Sequence, residues 1–240
     1  MRTVLTLAFA VIYLIVMLPV QLINWILEKT VPSVGYPMAR ALAGFGFLVV
    51  EKISGSRITV IGHDRIPTDT PVLYIGNHRS FYDIIYTFNR SVGPMGFLSK
   101  IEVKKVPILS WWMTMLKCEF LDRKDIKQGL KTILKCIDNV KEGFSVMIFP
   151  EGTRNHEEGT LMDFHEGSFK VATKSGCPIV PVTITHTAQV LEDHFPWIKK
   201  SDVTIEYGDP IYPDRLDPED RKHIGAYTRS IMLKTLQKNN

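Results

Sequence analysis

Ile75-Gly76-Asn77-His78-Arg79-Ser80-Phe81-Tyr82-Asp83 decides how this chain reads. An apolar run from Pro71 to Ile75 leads into it, short and bounded by proline and glycine, which is the pattern of a buried strand. Behind it Phe81, Ile84, Ile85 and Phe88 recur at helical spacing. Ser80 reads as the helix N-cap, with Asp83 three residues on. His78 thus falls in the turn after a strand, where open α/β sheets build their sites. Asp83 has two readings. Its carboxylate completes an acidic variant of the capping box, or it folds back onto the His78 imidazole, fixing its tautomer and leaving the other nitrogen as a base.

A second stretch repeats the arrangement. Phe144 to Phe149 is the most apolar strand candidate in the chain and runs into Pro150-Glu151-Gly152-Thr153-Arg154. If the two strands are parallel, both turns open on one edge of the sheet. Gly152 permits a tight turn or a close approach to a ligand, and Arg154 offers a planar fork for phosphate or carboxylate. Lys100 and Arg123 also follow short strands, so three cations are expected near that edge. His156 and His165 read as loop residues.

Other strands are expected at Arg57–Ile61, Met95–Leu98, Glu119–Leu121, Pro178–Thr185 and Val203–Tyr207. Helices are expected at Asp125–Val140, Phe169–Lys174 and Pro218–Gln237, and Ile108–Leu116, with Trp111 and Trp112, is apolar on most faces. In Asp125–Val140 an amphipathic face of Ile126, Leu130, Ile133, Leu134 and Ile137 is expected to be the core side. Strands alternating with helices predict an α/β fold with a largely parallel mixed sheet flanked by helices. Two parts are expected: residues 1–55 as membrane-anchoring helices and 56–240 as the α/β domain.

The N-terminal part rests on two apolar segments. Val4–Leu27 meets the roughly 20 residues a helix needs to cross a bilayer, and Pro19 is expected to kink it. Tyr36–Val50 is shorter and contains Arg40, which favours a hairpin set into one leaflet over a full span. The alternative is a cleaved signal peptide, with Arg2 as a weak basic flank. Among the 240 residues, 45% are hydrophobic and the net charge is +4. That balance is compatible with anionic membranes or phosphate ligands and too weak to argue for nucleic acid. Cys118, Cys136 and Cys177 form neither a disulfide framework nor a metal spacing, which suits a reducing cytosol.

Together the motifs resemble those of the glycerolipid acyltransferases, in particular the 1-acylglycerol-3-phosphate O-acyltransferases. Asn77-His78-x-Ser80-x-x-Asp83 is similar to the family's His-x4-Asp motif, and Phe149-Pro150-Glu151-Gly152-Thr153-Arg154 to its Glu-Gly-Thr-Arg motif. Phe120-Leu121-x-Arg123 resembles the intervening motif and Ile179-Val180-Pro181-Val182 the last one. Phe164-x-x-Gly167-x-Phe169-Lys170 is also similar to a family segment. One position departs: Lys117 stands where the second motif usually opens with glycine.

The resemblance implies transfer of an acyl chain from acyl-CoA or acyl carrier protein to the sn-2 hydroxyl of lysophosphatidic acid, giving phosphatidic acid. His78 would be the general base and Asp83 its orienting partner. Lys100, Arg123, Glu151, Gly152, Thr153 and Arg154 would bind substrate, with no metal and no cofactor beyond the acyl donor. The site would face the cytosol at a membrane. With no Gly-x-Ser-x-Gly elbow and no cysteine in a motif, direct transfer without an acyl-enzyme is expected. Other acceptors (glycerol-3-phosphate or another lysophospholipid), thioester hydrolysis, and a non-catalytic lipid-binding module are the competing readings.

Overall fold

The computed structural model describes residues 1–239. Three helices, α1 (Arg2–Val16), α2 (Leu18–Thr30) and α3 (Pro32–Ser54), precede the sheet. Then follow β1 (Arg57–Ile61), β2 (Leu73–Gly76), α4 (Tyr82–Phe88), β3 (Met95–Lys100), α5 (Pro107–Met115), β4 (Glu119–Leu121), α6 (Ile126–Lys141) and β5 (Ser145–Ile148). The chain ends with α7 (Lys170–Ser175), β6 (Ile179–Thr185), β7 (Asp202–Tyr207), α8 (Pro218–Lys222) and α9 (Ile224–Asn239). The strands form one seven-stranded sheet in the order β1-β7-β6-β2-β5-β3-β4. The five from β6 to β4 are parallel, and β7 joins β6 antiparallel. β2, β5 and β6 are buried along their whole length, as their continuous apolar sequences require. The α/β class and each expected strand are present, with boundaries shifted by one or two residues.

The helices depart from expectation in informative ways. α6 is turned so that Cys136, Ile137 and Val140 enter the core, while Ile126, Leu130 and Leu134 are exposed. Two polar side chains fix that rotation: the Gln128 amide and the Thr132 hydroxyl both donate to the Phe120 carbonyl of β4. The core face is therefore displaced toward β4 from the face that hydropathy alone selects. The C-terminal helix, expected as one, is interrupted at His223.

The break in the first apolar segment lies at Met17, with Pro19 in the first turn of α2, where it sacrifices no helical hydrogen bond. The two helices meet at 54°. α2 is inverted relative to a soluble amphipathic helix. Its polar Gln21 and Asn24 are wholly buried against α5, where their amides donate to the Ile108 carbonyl and Met115 Sδ. Leu22, Ile23 and Ile26 face outward, as do Val4, Leu7, Val11 and Ile15 of α1. α3 is 23 residues long and, by length and composition, the one helix among the described residues that could cross a membrane by itself. It is also part of the core: Ala39 and Val50 join the cluster beneath the sheet, and the Tyr36 hydroxyl accepts from the Met95 amide. Arg40 is turned inward and donates to Ser91.

Lys117 explains the departure from the motif. Its φ is +56°, the left-handed region glycine enters freely and a Cβ disfavours. Its carbonyl packs where a side chain at Gly96 would lie, 2.2 Å from the Cβ position. The turn thus keeps the shape glycine would supply and delivers Arg123 after β4 all the same.

Candidate active site

The turn after β2 is held from every side. The Asn77 side chain donates to the Ile184 carbonyl and accepts the Ile184 N–H, adding one ladder step between β2 and β6. Glu151 Oε1 accepts the His78 N–H at 2.9 Å, and the His78 carbonyl accepts the Asn155 N–H at 2.7 Å. The His78 ring stacks on Phe149, with ring centres 4.4 Å apart. Gly76 makes room for that ring, since a Cβ there would lie 2.9 Å from Phe149.

Asp83 is fully buried, and its Oδ2 serves three donors. His78 Nδ1 lies 2.8 Å away, the Arg79 N–H 2.7 Å and the Ser80 N–H 2.8 Å. Backbone N–H groups only donate, so this oxygen is an acceptor and His78 Nδ1 carries the proton. Nε2 is then the basic nitrogen. Thr187 donates its hydroxyl to Asp83 Oδ1 at 2.5 Å. Ser80 Oγ accepts the Tyr82 N–H, although the helix begins at Tyr82, slightly later than the sequence suggests. Both readings of Asp83 therefore hold at once: the same oxygen caps the turn and orients the imidazole.

The turns after β2 and β5 do open on one edge, because the two strands are parallel neighbours. The expected cations spread along that edge. Arg154 reaches toward the segment after β6, pairing with Glu192 at 2.8 Å while its guanidinium lies over the Phe81 ring at 4.3 Å. Arg123 approaches from the other side, its guanidinium 3.2 Å from where a Gly152 side chain would begin. The His165 ring stands as close, at 3.1 Å, so this residue, read from sequence as a loop histidine, borders the site. Gly152 has φ +77°, and its missing side chain leaves space for both. Lys100 ends β3, in register with Leu121 of β4, and is exposed, as is Thr153. The clustering of Lys100, Arg123 and Arg154 expected from sequence is thus an extended row.

Glu151 is placed differently from the substrate-binding role expected of it. Both its oxygens are taken by backbone, Oε1 by the His78 N–H and Oε2 by the Met162 N–H. It is 3% exposed, and burial raises its carboxyl pKa against the pull of those two amides. Its position makes it a clamp on His78. Sequence reasoning missed Thr187, 104 residues from Asp83, and Glu192, 38 residues from Arg154 and 111 from Phe81; neither carries a motif spacing. The cysteines are buried, and burial pushes Cys118 and Cys136 up to about 12, so neither is a thiolate near neutral pH.

Comparison with known proteins follows the same lines. The Acyltransferase family model matches residues 57–185, more than half of the chain. A chloroplastic 1-acyl-sn-glycerol-3-phosphate acyltransferase of Brassica napus, BAT2, is 35% identical over 158 residues, 65% of this chain and 45% of that protein. The 1-acyl-sn-glycerol-3-phosphate acyltransferase of Borreliella burgdorferi is 29% identical over 188 residues, 77% of this chain and 74% of that one. The chain thus spans less than half the length of the Brassica relative. The crystal structure of the 1-acyl-sn-glycerophosphate acyltransferase PlsC from Thermotoga maritima superposes with a TM-score of 0.74 at 22% identity, covering 99% of this chain and 97% of that one, which shows a shared fold.

Proposed function

The chain belongs to the acyltransferase family, and on that premise we propose that it transfers a fatty acyl chain from an acyl thioester to the free hydroxyl of 1-acylglycerol-3-phosphate. The observation that carries this reading is the His78–Asp83 contact at the sheet edge, with Nε2 as the basic nitrogen, beside a turn bearing Arg154. His78 Nε2 takes the proton of the acceptor hydroxyl as its oxygen attacks the thioester carbonyl. The tetrahedral intermediate collapses with loss of the thiolate, which recovers the proton from His78. Asp83 stabilises the imidazolium in between. General-base assistance of this kind is worth ~10²–10⁴-fold. The buried cysteines support direct transfer, since none is available as an acyl carrier.

Arg154, with Arg123 and Lys100 along the same edge, holds the acceptor phosphate. A guanidinium suits it because it binds phosphate oxygens in pairs. The donor is acyl-CoA or acyl carrier protein. The outward apolar faces of α1 and α2 support attachment to a membrane, with the site at its cytosolic surface, where acceptor and product reside. The test is to incubate purified full-length protein with labelled acyl thioester, with and without lysophosphatidic acid. Labelled phosphatidic acid formed only with acceptor is the expected result. Free fatty acid in both arms would favour a hydrolase, and no turnover in either a lipid-binding module.

A further inference from the structure

α6 presents a surface to which the proposed reaction gives no role. The hydrogen bonds from Gln128 and Thr132 to the Phe120 carbonyl hold the helix so that Ile126, Leu130 and Leu134 face outward, 88%, 54% and 50% exposed. Spaced four residues apart, they form a stripe about 12 Å long on one helix face. Lys127, Lys131 and Lys135 make a second exposed row beside it with the same spacing. Lysines four residues apart repel each other. Lys135 alone of the three pairs with a carboxylate among the described residues, Glu119 at 3.7 Å. An apolar stripe open to water beside a row of like charges adds nothing to the fold, and it has the composition of a face that a partner covers.

The place of α6 in the fold decides what covers it. On one face of the sheet Tyr74, Met147 and Val180 pack with Ala39 and Val50 of α3, and Phe9 and Leu14 of α1 lie against the same cluster. Leu73, Ile75, Val146 and Ile148 alternate with them, point to the other face and pack with Cys136, Ile137 and Val140 of α6. A membrane held by α1 and α2 therefore lies across the sheet from the stripe. A second copy of this face would bring a further row of lysines and no acid to neutralise it. A soluble partner with an acidic surface matches both rows. The start of α6 gives that partner a task. β4 runs parallel to β3, β5 and β2, so the Ile126 end of the stripe lies at the edge where the His78 and Glu151 turns open. Arg123, two residues beyond β4, reaches Gly152 there. We infer that the Ile126–Leu134 face docks an acidic carrier protein bearing the acyl thioester. The stripe is buried on docking, and the lysines pair with the carrier's carboxylates and steer its approach. The inference rests on the proposed reaction for the cargo alone, and it places donor recognition on a helix that takes no part in holding the acceptor.

The experiment uses the full chain in detergent micelles, with acyl carrier protein as the probe and acyl-CoA of the same chain as the donor without a protein. Fluorescence anisotropy of labelled carrier reads docking independently of transfer. Lys127→Glu combined with Lys131→Glu reverses two exposed charges, and Leu130→Ser interrupts the stripe; all three side chains are exposed, so neither variant disturbs the core. Each should weaken carrier binding about tenfold, and wild-type binding should weaken as salt is raised. With the carrier thioester as donor, kcat/KM should fall by the same factor, while with acyl-CoA it should stay at the wild-type value. A wild type that does not bind the carrier, or variants that bind it as well as wild type does, overturns the inference. An equal loss with acyl-CoA overturns it too. So does loss of attachment to anionic vesicles with carrier binding intact, which would hand the face to the membrane. Acylation of lysophosphatidic acid from acyl-CoA without carrier docking would sink this face and leave the reaction standing. Docking that follows the variants without acylation from either donor would do the reverse.

Discussion

Asp83 Oδ2 meets His78 Nδ1 at 2.8 Å while accepting the Arg79 and Ser80 amides, so one buried oxygen both shapes the turn and orients the base. The two tasks separate in Asp83→Asn. The amide oxygen keeps the three donors, and the new NH₂ faces the Thr187 hydroxyl, which can accept it. The negative charge that stabilises the imidazolium is lost. Stability should fall by about 1 kcal/mol, the scale of a weakened cap, whereas kcat should drop ~10²-fold or more. Denaturant unfolding and turnover on the same preparation check this. A folded variant with normal kcat would leave Asp83 as a cap alone.

Thr187→Val tests the far side of the same carboxylate. Valine matches threonine in size and strips Asp83 Oδ1 of the hydroxyl it holds. An unmatched buried carboxylate oxygen costs about 1–3 kcal/mol. Stability should decline by that amount, and kcat should fall with little change in KM, since Thr187 acts through Asp83. If both parameters are unmoved, the tether has no consequence.

Lys117→Gly should stabilise the protein. Relief of the left-handed strain is worth about 1–2 kcal/mol, less up to about 1 kcal/mol for the added freedom of the unfolded chain, for a net gain of about 0.5–1 kcal/mol. The Lys117–Glu28 contact, at 3.8 Å and partly solvated, offsets little of this. A lower midpoint in urea would show that Lys117 contributes more through its contacts than its backbone loses.

Arg154→Ala should reduce kcat/KM for lysophosphatidic acid by one to two orders of magnitude, as expected for charge-assisted hydrogen bonds of roughly 1.5–3 kcal/mol. Arg154→Lys should recover part of it, because an ammonium lacks the planar fork. The diagnostic is selectivity: the loss should be much smaller for a monoacylglycerol without phosphate. Equal losses on both acceptors would remove Arg154 from phosphate recognition.

Glu151 supplies a pH signature. Burial raises its carboxyl above the ordinary 4.5, so the folded state binds this proton more tightly than the unfolded chain does. That contribution to stability is complete below the unfolded value and is lost as pH rises through the folded one. Glu151→Gln removes the ionisation, so wild-type stability should decline relative to the variant as pH climbs from about 4 toward neutrality. Its kcat should fall as well, because the new amide NH₂ cannot accept the Met162 N–H and the clamp on His78 loosens. Parallel stability curves for the two proteins would rule out a raised carboxyl.

Local sequence pattern is sufficient for the sheet and for the pair at its edge. Runs such as Leu73–Ile75 and Val146–Ile148 are apolar at every position, which only a strand buried on both faces can use. His78 and Asp83 are five residues apart across one turn, so local geometry was enough to join them. Features that depend on distant partners follow from packing instead. The rotation of α6 was set by Gln128 and Thr132 against Phe120, and hydropathy does not record a hydrogen bond to another strand. The inward turn of Gln21 and Asn24 on α2 was set by α5. Glu151 looked like a ligand and became a clamp because backbone amides reach both its oxygens. Thr187 and Glu192 became visible only when β6 was laid beside β2, since side-chain chemistry names what a residue can do and packing alone names with whom.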